Sequence, residues 1–286
     1  MEKDILTLLT NENKQYSKGQ QKIAQYILNN YDRAAFMTAG KLGEEVGTSE
    51  STVVRFASEL GFNGYPEMRK AIQSMIRSRL TSVQRIEVAK RTIDEKNICK
   101  SVLSSDIENL QSTLNIMDSE SFSKTVKNII DAKNIYIVGM RSSSALASFL
   151  GSYLHLLRGN VFVIKDISSS EVAEQLLRIG PDDIFIGISY PRYSKHTVDA
   201  MEFSRSRGAK TIAITDSSNS PVSGIADISL YAKSDMVSFL DSLVAPMSLI
   251  NAIIVAVGTK MPNSSETFKQ LESIWSEYDV FESSDS

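Results

Sequence analysis

The spacing of apolar side chains divides the chain into an all-helical first part and a second part in which short apolar runs alternate with helical segments. In the first part, the pattern predicts a helix that Ser17 can cap, followed by shorter helices at about 38–46 and 49–60. No strand-like run interrupts this region. The pattern therefore predicts a small all-α domain over residues 1–80.

Short apolar runs without polar alternation begin near residue 134. Such runs are typical of strands that are buried on both faces of a sheet. Helical segments separate the runs, which favours parallel strands joined by right-handed crossovers. The predicted strands are 135–138, 161–164, 184–188, 211–214 and 228–230. Residues 131–262 are thus expected to form an α/β domain with a five-stranded parallel sheet flanked by helices, of the flavodoxin-like kind.

Two further segments complete the predicted domain organisation. Residues 81–130 are polar and are expected to form a helical linker and approach to the second domain, and residues 263–286 a C-terminal helix with an acidic tail. Basic residues outnumber acidic ones between Arg69 and Lys100, which fits either a solvated helix face or contacts with phosphates.

Composition and charge exclude several classes of protein. The 286 residues carry a formal net charge of −3, so the chain lacks the general basic field of many nucleic-acid binders. A single cysteine and two histidines argue against a disulfide framework or a Cys/His metal site, and we expect no metal or cofactor. No segment has the pattern of a signal peptide or a membrane span, so we expect no membrane partner and a cytoplasmic location.

The segment 41–56 has the spacing of a helix-turn-helix motif. Gly43 lets two short helices touch closely because it has no Cβ atom. Gly47 tolerates the left-handed conformation that the turn requires, and Ser49 can cap the second helix. The shared core would consist of Leu42, Val46, Val53 and Phe56. An ordinary helical hairpin is the alternative.

A second helix that lies in a major groove would turn its first residues toward DNA. Hydroxyls there suit phosphate oxygens, and Arg55 can reach a guanine edge or a phosphate. Glu50 can accept from a cytosine amino group or simply be a favourable acid in the first turn. The candidate DNA-binding residues are Ser49, Glu50, Ser51, Thr52 and Arg55.

Two hydroxyl-rich loops follow alternate predicted strands, at 139–144 and 189–197, and each leads into a helix. Ligands of open parallel sheets bind beyond the carboxyl ends of strands, and hydroxyls with a helix N-terminus suit a phosphate. The alternative is that these serines only cap helices, but two such loops favour a site. The candidate ligand-binding residues are Ser142, Ser143, Ser189, Arg192 and Ser194.

The sequence STVVRF at 51–56 followed by LGFNGY at 60–65 resembles the RpiR/MurR family of bacterial transcription regulators. Residues 134–260 resemble the SIS (sugar isomerase) domain that is expected beside it. The resemblance implies a DNA-binding domain, usually dimeric, joined to a sugar-phosphate sensor.

The first phosphate loop of that family usually reads Gly-x-Gly-x-Ser. Here Gly139 matches the first glycine, Arg141 replaces the second, and Ser143 falls on the serine. The resemblance therefore implies that Ser143 contacts phosphate.

The later loop usually reads Ser-x-Ser-Gly-x-Thr. Ser189 matches its first serine, Pro191 and Arg192 replace Ser-Gly, and Ser194 stands for the threonine, so Ser189 and Ser194 are the implied phosphate contacts. Arginine at both glycine positions indicates a smaller or more anionic ligand, or a pocket that no longer takes the usual phosphosugar. Alternatively, the two arginines form ion pairs with Glu171 or Asp241.

These features predict a ligand-responsive transcription regulator, by family a repressor, that binds operator DNA and a phosphorylated sugar or related metabolite as a homodimer or homotetramer. Two alternatives remain. One is a sugar-phosphate isomerase, for which His196 and Glu171 are the candidate bases. The other is a regulator whose SIS domain serves only to dimerise.

Overall fold

A computed structural model describes residues 5–10, 16–77, 83, 85–86, 97–164, 169–236, 240–262 and 264–281. The chain forms two compact units. The N-terminal unit is built on residues 1–102 with 236–240, and the C-terminal unit on residues 103–235 with 241–286.

The described part of the N-terminal unit is helical. Its helices are α1 (Ile5–Leu9), α2 (Lys18–Asn29), α3 (Tyr31–Ala34), α4 (Ala39–Val46), α5 (Glu50–Glu59) and α6 (Tyr65–Arg77). Ser17 caps α2 as predicted, in a capping box in which Gln20 bonds back to the backbone of Ser17. These helices pack around one apolar cluster in which Ile23, Ile27 and Phe56 are fully buried.

The C-terminal unit begins with two long helices, α7 (Ile98–Ile116, whose first turn belongs to the N-terminal unit) and α8 (Ser119–Asp131). Residues 98–131 are thus helical apart from a short break, and the rest of the predicted linker, at 81–82, 84 and 87–96, lies outside the described residues except for 83, 85–86 and 97. The buried Asn109 of α7 bonds to both the N–H and the C=O of Asp235, each at 2.9 Å. Helix α7 is therefore fastened to the segment that follows the last strand.

The sheet has the predicted five parallel strands. They are β1 (Ile135–Gly139), β2 (Val161–Ile164), β3 (Ile184–Ile188), β4 (Lys210–Thr215) and β5 (Ile228–Tyr231). Their order is β2-β1-β3-β4-β5, so the winding direction reverses between β1 and β3. That reversal opens a crevice at the carboxyl ends of these two strands.

Helices cover both faces of this sheet, which confirms the predicted fold class. They are α9 (Ser143–Arg158), α10 (Ser169–Gln175), α11 (Lys195–Ser206), α12 (Val244–Lys260) and α13 (Ser264–Glu277). Helices α8, α9 and α12 contribute to one apolar cluster and α10 and α11 to another. Gly151 lets α9 lie close to β2, because a methyl group there would come within 2.0 Å of Val163.

Helix α12 begins at Val244, and 237–239 lie outside the described residues. No single helix in the described ranges is long and apolar enough to cross a membrane; α12 and α13 meet that test only as a pair, bent by 104°. Helix α13 has no buried residue in the single chain.

Candidate nucleic-acid interface and ligand pocket

Helices α4 and α5 form the predicted helix-turn-helix. Gly47 ends α4 in the left-handed region (φ 68°), and the side chain of Ser49 caps α5 by accepting from the N–H of Thr52 at 3.3 Å. A methyl group on Gly43 would lie 2.9 Å from the carbonyl oxygen of Thr48. This glycine therefore lets the turn rest directly on α4.

The predicted shared core forms beneath this turn. Leu42, Val53 and Phe56 are fully buried, and the half-buried Val46 packs against the same cluster. The ring of Tyr16 meets Phe56 edge-on, with 5.5 Å between ring centroids. The packing holds α5 at a definite orientation and leaves its opposite face to solvent.

The exposed face of α5 includes Ser51, Val54, Arg55 and Ser58, which follow helical spacing of i, i+3, i+4 and i+7. The Nε of Arg55 donates to the carbonyl oxygen of Ser51 at 3.3 Å. Sequence reasoning missed Val54 and Ser58, although the same spacing, counted from Ser51, identifies both. Val54 offers an apolar contact of the kind that suits a thymine methyl group.

Two of the predicted DNA contacts turn toward neighbouring helices. A methyl group on Gly40 would lie 3.4 Å from Oε2 of Glu50, so this carboxylate lies beside the first turn of α4, where the helix dipole favours it. A methyl group on Gly19 would lie 3.6 Å from Cγ2 of Thr52, which is half-buried against α2.

The hydroxyl of Ser49 is engaged within the turn. It lies 2.9 Å from the hydroxyls of both Ser51 and Thr52. Ser51 and Arg55 are therefore the predicted residues whose side chains lie most openly on the outer face.

In the C-terminal unit, the two predicted loops leave neighbouring strands at the same edge of the sheet. Gly139 of β1 is in register with Ile188 of β3, directly at the crevice. A methyl group on Gly139 would lie 2.4 Å from the carbonyl oxygen of Ser143, so this glycine lets α9 begin against the strand. The crevice thus receives the N-terminal ends of α9 and α11.

In the loop after β1, backbone N–H groups at the start of α9 donate hydrogen bonds to carbonyl groups of the loop itself. The N–H groups of Ser143 and Ser144 donate to the carbonyls of Met140 and Arg141 at 3.1 and 3.0 Å. Ser143 is buried, whereas Ser142 is exposed and makes no side-chain capping bond. This loop therefore offers hydroxyls rather than a row of free N–H groups.

The loop after β3 is held by side chains at the end of β4. Thr215 donates to the carbonyl oxygen of Ser189 at 2.7 Å, and the Tyr193 hydroxyl donates to the Asp216 carboxylate at 2.9 Å. The buried hydroxyl of Ser189 accepts from the N–H of Ser194 at 3.3 Å, which leaves its own proton to donate.

The N-terminus of α11 is the better anion cradle of the two. Over the described ranges, no hydrogen bond engages the backbone N–H groups of Lys195 and Thr197, and Ser194 makes no side-chain capping bond. The Thr197 hydroxyl is fully buried and has no partner. Free N–H groups, a hydroxyl at the cap and the helix dipole together suit a phosphate.

Arg141 and Arg192 both adopt left-handed backbone conformations, with φ of 56° and 66°. The loops therefore keep a glycine-type backbone at the two positions where arginine replaces glycine of the family pattern. Arg141 is exposed, and no ion pair joins it to Glu171 or Asp241 among the described residues.

Sequence reasoning missed the contribution of β4. Burial, and secondly the nearby Asp216 carboxylate, raises the pKa of Tyr190, whose hydroxyl has no hydrogen-bond partner. Asp216 comes directly after an apolar strand, like the residues of the two predicted loops, and that position was the available signal.

Comparisons with known proteins agree with both units. Residues 3–79 match the family model of the helix-turn-helix domain, rpiR family, and residues 128–256 match that of the SIS domain. An uncharacterised HTH-type transcriptional regulator of Caldanaerobacter subterraneus subsp. tengcongensis is 23% identical over 267 residues, or 91% of this chain and 92% of that protein.

Two solved structures are also similar. The sugar isomerase domain of an RpiR transcription factor from Sphaerobacter thermophilus is 32% identical, with a TM-score of 0.59 over 62% of this chain and 99% of that one. The Vibrio vulnificus NanR protein, solved with ManNAc-6P, is 21% identical, with a TM-score of 0.59 over 96% and 99%.

A helix-turn-helix unit joined to an SIS unit defines a class of transcriptional regulator. Within that class, the chain belongs to the RpiR family, because its first unit matches the rpiR-type helix-turn-helix and its second shares 32% identity with nearly the whole of an RpiR sugar isomerase domain.

Proposed function

We propose that this regulator binds operator DNA through α5. Its DNA affinity changes when a phosphorylated sugar or related metabolite binds in the crevice at the carboxyl ends of β1 and β3. The observation that carries the proposal is that the backbone N–H groups of Lys195 and Thr197, at the start of α11, make no hydrogen bond in the described ranges. The similar NanR structure, which was solved with ManNAc-6P, supports the same class of effector. By family, we expect a repressor that acts in the cytoplasm, where its DNA lies.

On the DNA side, Ser51 and Arg55 are the proposed groove contacts, with Ser49, Thr52 and Glu50 ordering the start of α5. The Arg55→Ala change is expected to weaken operator binding by about 1–3 kcal/mol if Arg55 reads a base. Fluorescence anisotropy with labelled operator DNA measures this loss.

A matched control for Arg55→Ala is Arg207→Ala, because Arg207 lies beyond α11 in the other unit and stacks on Phe203 at 5.1 Å. The control should bind operator like the wild type. Wild-type affinity in Arg55→Ala would remove this residue from the interface.

On the effector side, we assign phosphate binding to Ser142, Ser143, Ser189 and Ser194 together with the backbone N–H groups of Lys195 and Thr197, and we propose that Arg192 contacts the effector outside its phosphate. A ligand that binds only the folded state raises the thermal midpoint, so sugar phosphates should stabilise the full chain. The Ser143→Ala and Ser194→Ala variants should lose this shift while they still bind DNA.

The control for the effector site is Ser152→Ala, an exposed serine further along α9. It should shift like the wild type. A protein that no sugar phosphate stabilises would support the alternative in which this domain serves only to dimerise.

A homodimer is the proposed assembly, because reading a two-fold operator needs two recognition helices. Helix α7 supports it with an apolar stripe at 4-3-4-3 spacing, the pattern of self-complementary coiled coils. The stripe comprises Leu103, Ile107, Leu110 and Leu114, with Met117 directly after the helix, and all but the half-buried Leu110 are exposed. A homotetramer remains compatible with the further exposed residues of α13.

The dimer face is tested by Ile107→Glu, with Leu177→Glu as the control, because these side chains are 65% and 67% exposed on different elements. Sedimentation velocity should show a monomer for the first variant and the wild-type assembly for the second. A wild-type assembly in Ile107→Glu would exclude this stripe.

We propose a sensor rather than an isomerase. The candidate bases His196 and Glu171 are both exposed, one in the first turn of α11 and the other in that of α10. Aldose–ketose isomerisation requires a base held within hydrogen-bond reach of the sugar carbons. Turnover of a bound sugar phosphate by the full chain, followed by NMR, would overturn this proposal.

A further inference from the structure

The two arginines of the crevice adopt backbone conformations that are unfavourable for their residue type. Among the described residues, the non-glycine positions with positive φ are Arg141, Asn160, Arg192 and Asp279. Asn and Asp tolerate the left-handed region better than other residues with a Cβ atom, whereas arginine has no such adaptation. The two arginines with positive φ, Arg141 and Arg192, therefore both occur in the loops of one candidate site.

These loops lie side by side. Strands β1 and β3 are paired neighbours, about 4.8 Å apart, and Gly139 is in register with Ile188 at their ends. Arg141 follows Gly139 by two positions and Arg192 follows Ile188 by four. Arg141 is exposed and Arg192 is half-buried, and both belong to loops that leave the carboxyl ends of these strands.

The charge that the arginines add exceeds what one phosphate needs. The α11 end already offers the N–H groups of Lys195 and Thr197 together with the Ser194 hydroxyl. A guanidinium binds carboxylate or phosphate oxygens in a paired, fork-like geometry that backbone N–H groups and hydroxyls do not provide. Two guanidinium groups beside a phosphate cradle fit an additional anionic group on the same ligand.

We infer that the effector carries a second acidic group besides its phosphate, as a phosphorylated sugar acid or a sugar bisphosphate does, and that Arg141 and Arg192 bind this group. The inference rests on the proposed function, since it assumes that the crevice binds a phosphorylated metabolite. It further specifies the chemical class of the effector and makes the two arginines the residues that determine specificity.

The test compares matched ligands by isothermal titration calorimetry on the full chain. Glucose 6-phosphate is paired with 6-phosphogluconate and fructose 6-phosphate with fructose 1,6-bisphosphate, so that each pair differs in the second acidic group. The wild type should bind the doubly acidic member at least about tenfold more tightly, the scale of one added charge-assisted contact. The better pair distinguishes a carboxylate from a second phosphate.

The Arg141→Gly and Arg192→Gly variants should lose that preference while still binding the simple phosphates. Glycine adopts positive φ without steric cost, so these variants are expected to fold at least as stably as the wild type, and lost binding is not lost folding. Asn160→Gly is the control, because it relieves positive φ just before β2, at the other end of the strands. It should keep the wild-type preference.

The outcomes separate the two proposals. Equal or weaker binding of the doubly acidic ligands overturns the inference and leaves the sensor proposal intact. A preference that survives in both glycine variants overturns the role of the arginines. If none of the four phosphorylated ligands binds, both the proposed phosphosugar effector and this inference fail.

Discussion

Replacing Gly139 by alanine should disturb the ligand crevice through a single methyl group. That methyl would lie 2.4 Å from the carbonyl oxygen of Ser143 and 3.0 Å from Cβ of Ala147, where ordinary contact begins at 3.4 Å. The first turn of α9 must therefore retreat by about 1 Å. The nearest obstacle is backbone and cannot rotate away, so we expect a loss of about 1–3 kcal/mol of unfolding free energy, as for other overpacked sites.

The same displacement should remove the effector response. Ser143 moves with the first turn of α9, and a shift on this scale takes its hydroxyl out of hydrogen-bond range of a phosphate held at α11. Urea unfolding followed by circular dichroism measures the stability, and the thermal shift with a stabilising sugar phosphate measures the response. Operator binding by the separate N-terminal unit should persist.

The matched control for Gly139→Ala is Gly180→Ala, because nothing lies within 4 Å of a methyl group at Gly180. Its unfolding free energy should stay within about 0.5 kcal/mol of the wild type. If Gly139→Ala unfolds at the wild-type urea concentration and keeps its thermal shift, then α9 does not need its close approach to β1, and the reasoning fails.

Further substitutions test other parts of the fold. Gly43→Ala presses on backbone atoms of the turn, with the Thr48 oxygen at 2.9 Å, so operator affinity measured by anisotropy should fall although alanine favours the helix. Burial raises the pKa of Tyr65 to about 12, so the stability contributed by its neutral hydroxyl is complete below pH 10 and lost between pH 10 and 12. The wild type should therefore lose roughly 2 kcal/mol of unfolding free energy between pH 10 and 12 that the Tyr65→Phe variant does not lose. Urea unfolding measured at several pH values in this range tests the difference. Asn109→Leu removes the two hydrogen bonds that Asn109 makes with the backbone N–H and C=O of Asp235, so it should lower the unfolding free energy measured in urea by about 1–3 kcal/mol. The control Asn115→Leu, at an exposed position, should leave it unchanged.

Short-range rules accounted for much of the helix-turn-helix. The cap at Ser17, the left-handed Gly47 and the cap at Ser49 each depend on residues within four positions, and each forms as expected. The strands could also be predicted from the sequence, because strands that are buried on both faces appear as apolar runs without polar alternation.

Orientation of side chains on α5 depended on neighbouring helices. The sequence put Glu50 in the first turn of α5, where either a base contact or a helix-dipole contact was open. In the structure, the packing of α4 against α5 brings its carboxylate beside Gly40 in the first turn of α4. A residue's position in its own helix does not determine which neighbour it meets, because that depends on how the helices cross.

The sequence by itself determined the two domain types, the strand and helix segments, and the hydroxyl-rich loops, since these follow from local conformation and from the period of burial. Only the tertiary structure decided that β1 and β3 are neighbours and that Thr215 and Asp216 brace the loop after β3. It also decided that the N–H groups of Lys195 and Thr197 in α11 stay free, whereas those of Ser143 and Ser144 in α9 are bonded. Strand order and loop bracing join residues far apart in the chain. Their partners are selected by packing of the whole sheet and its helices, which no local pattern records.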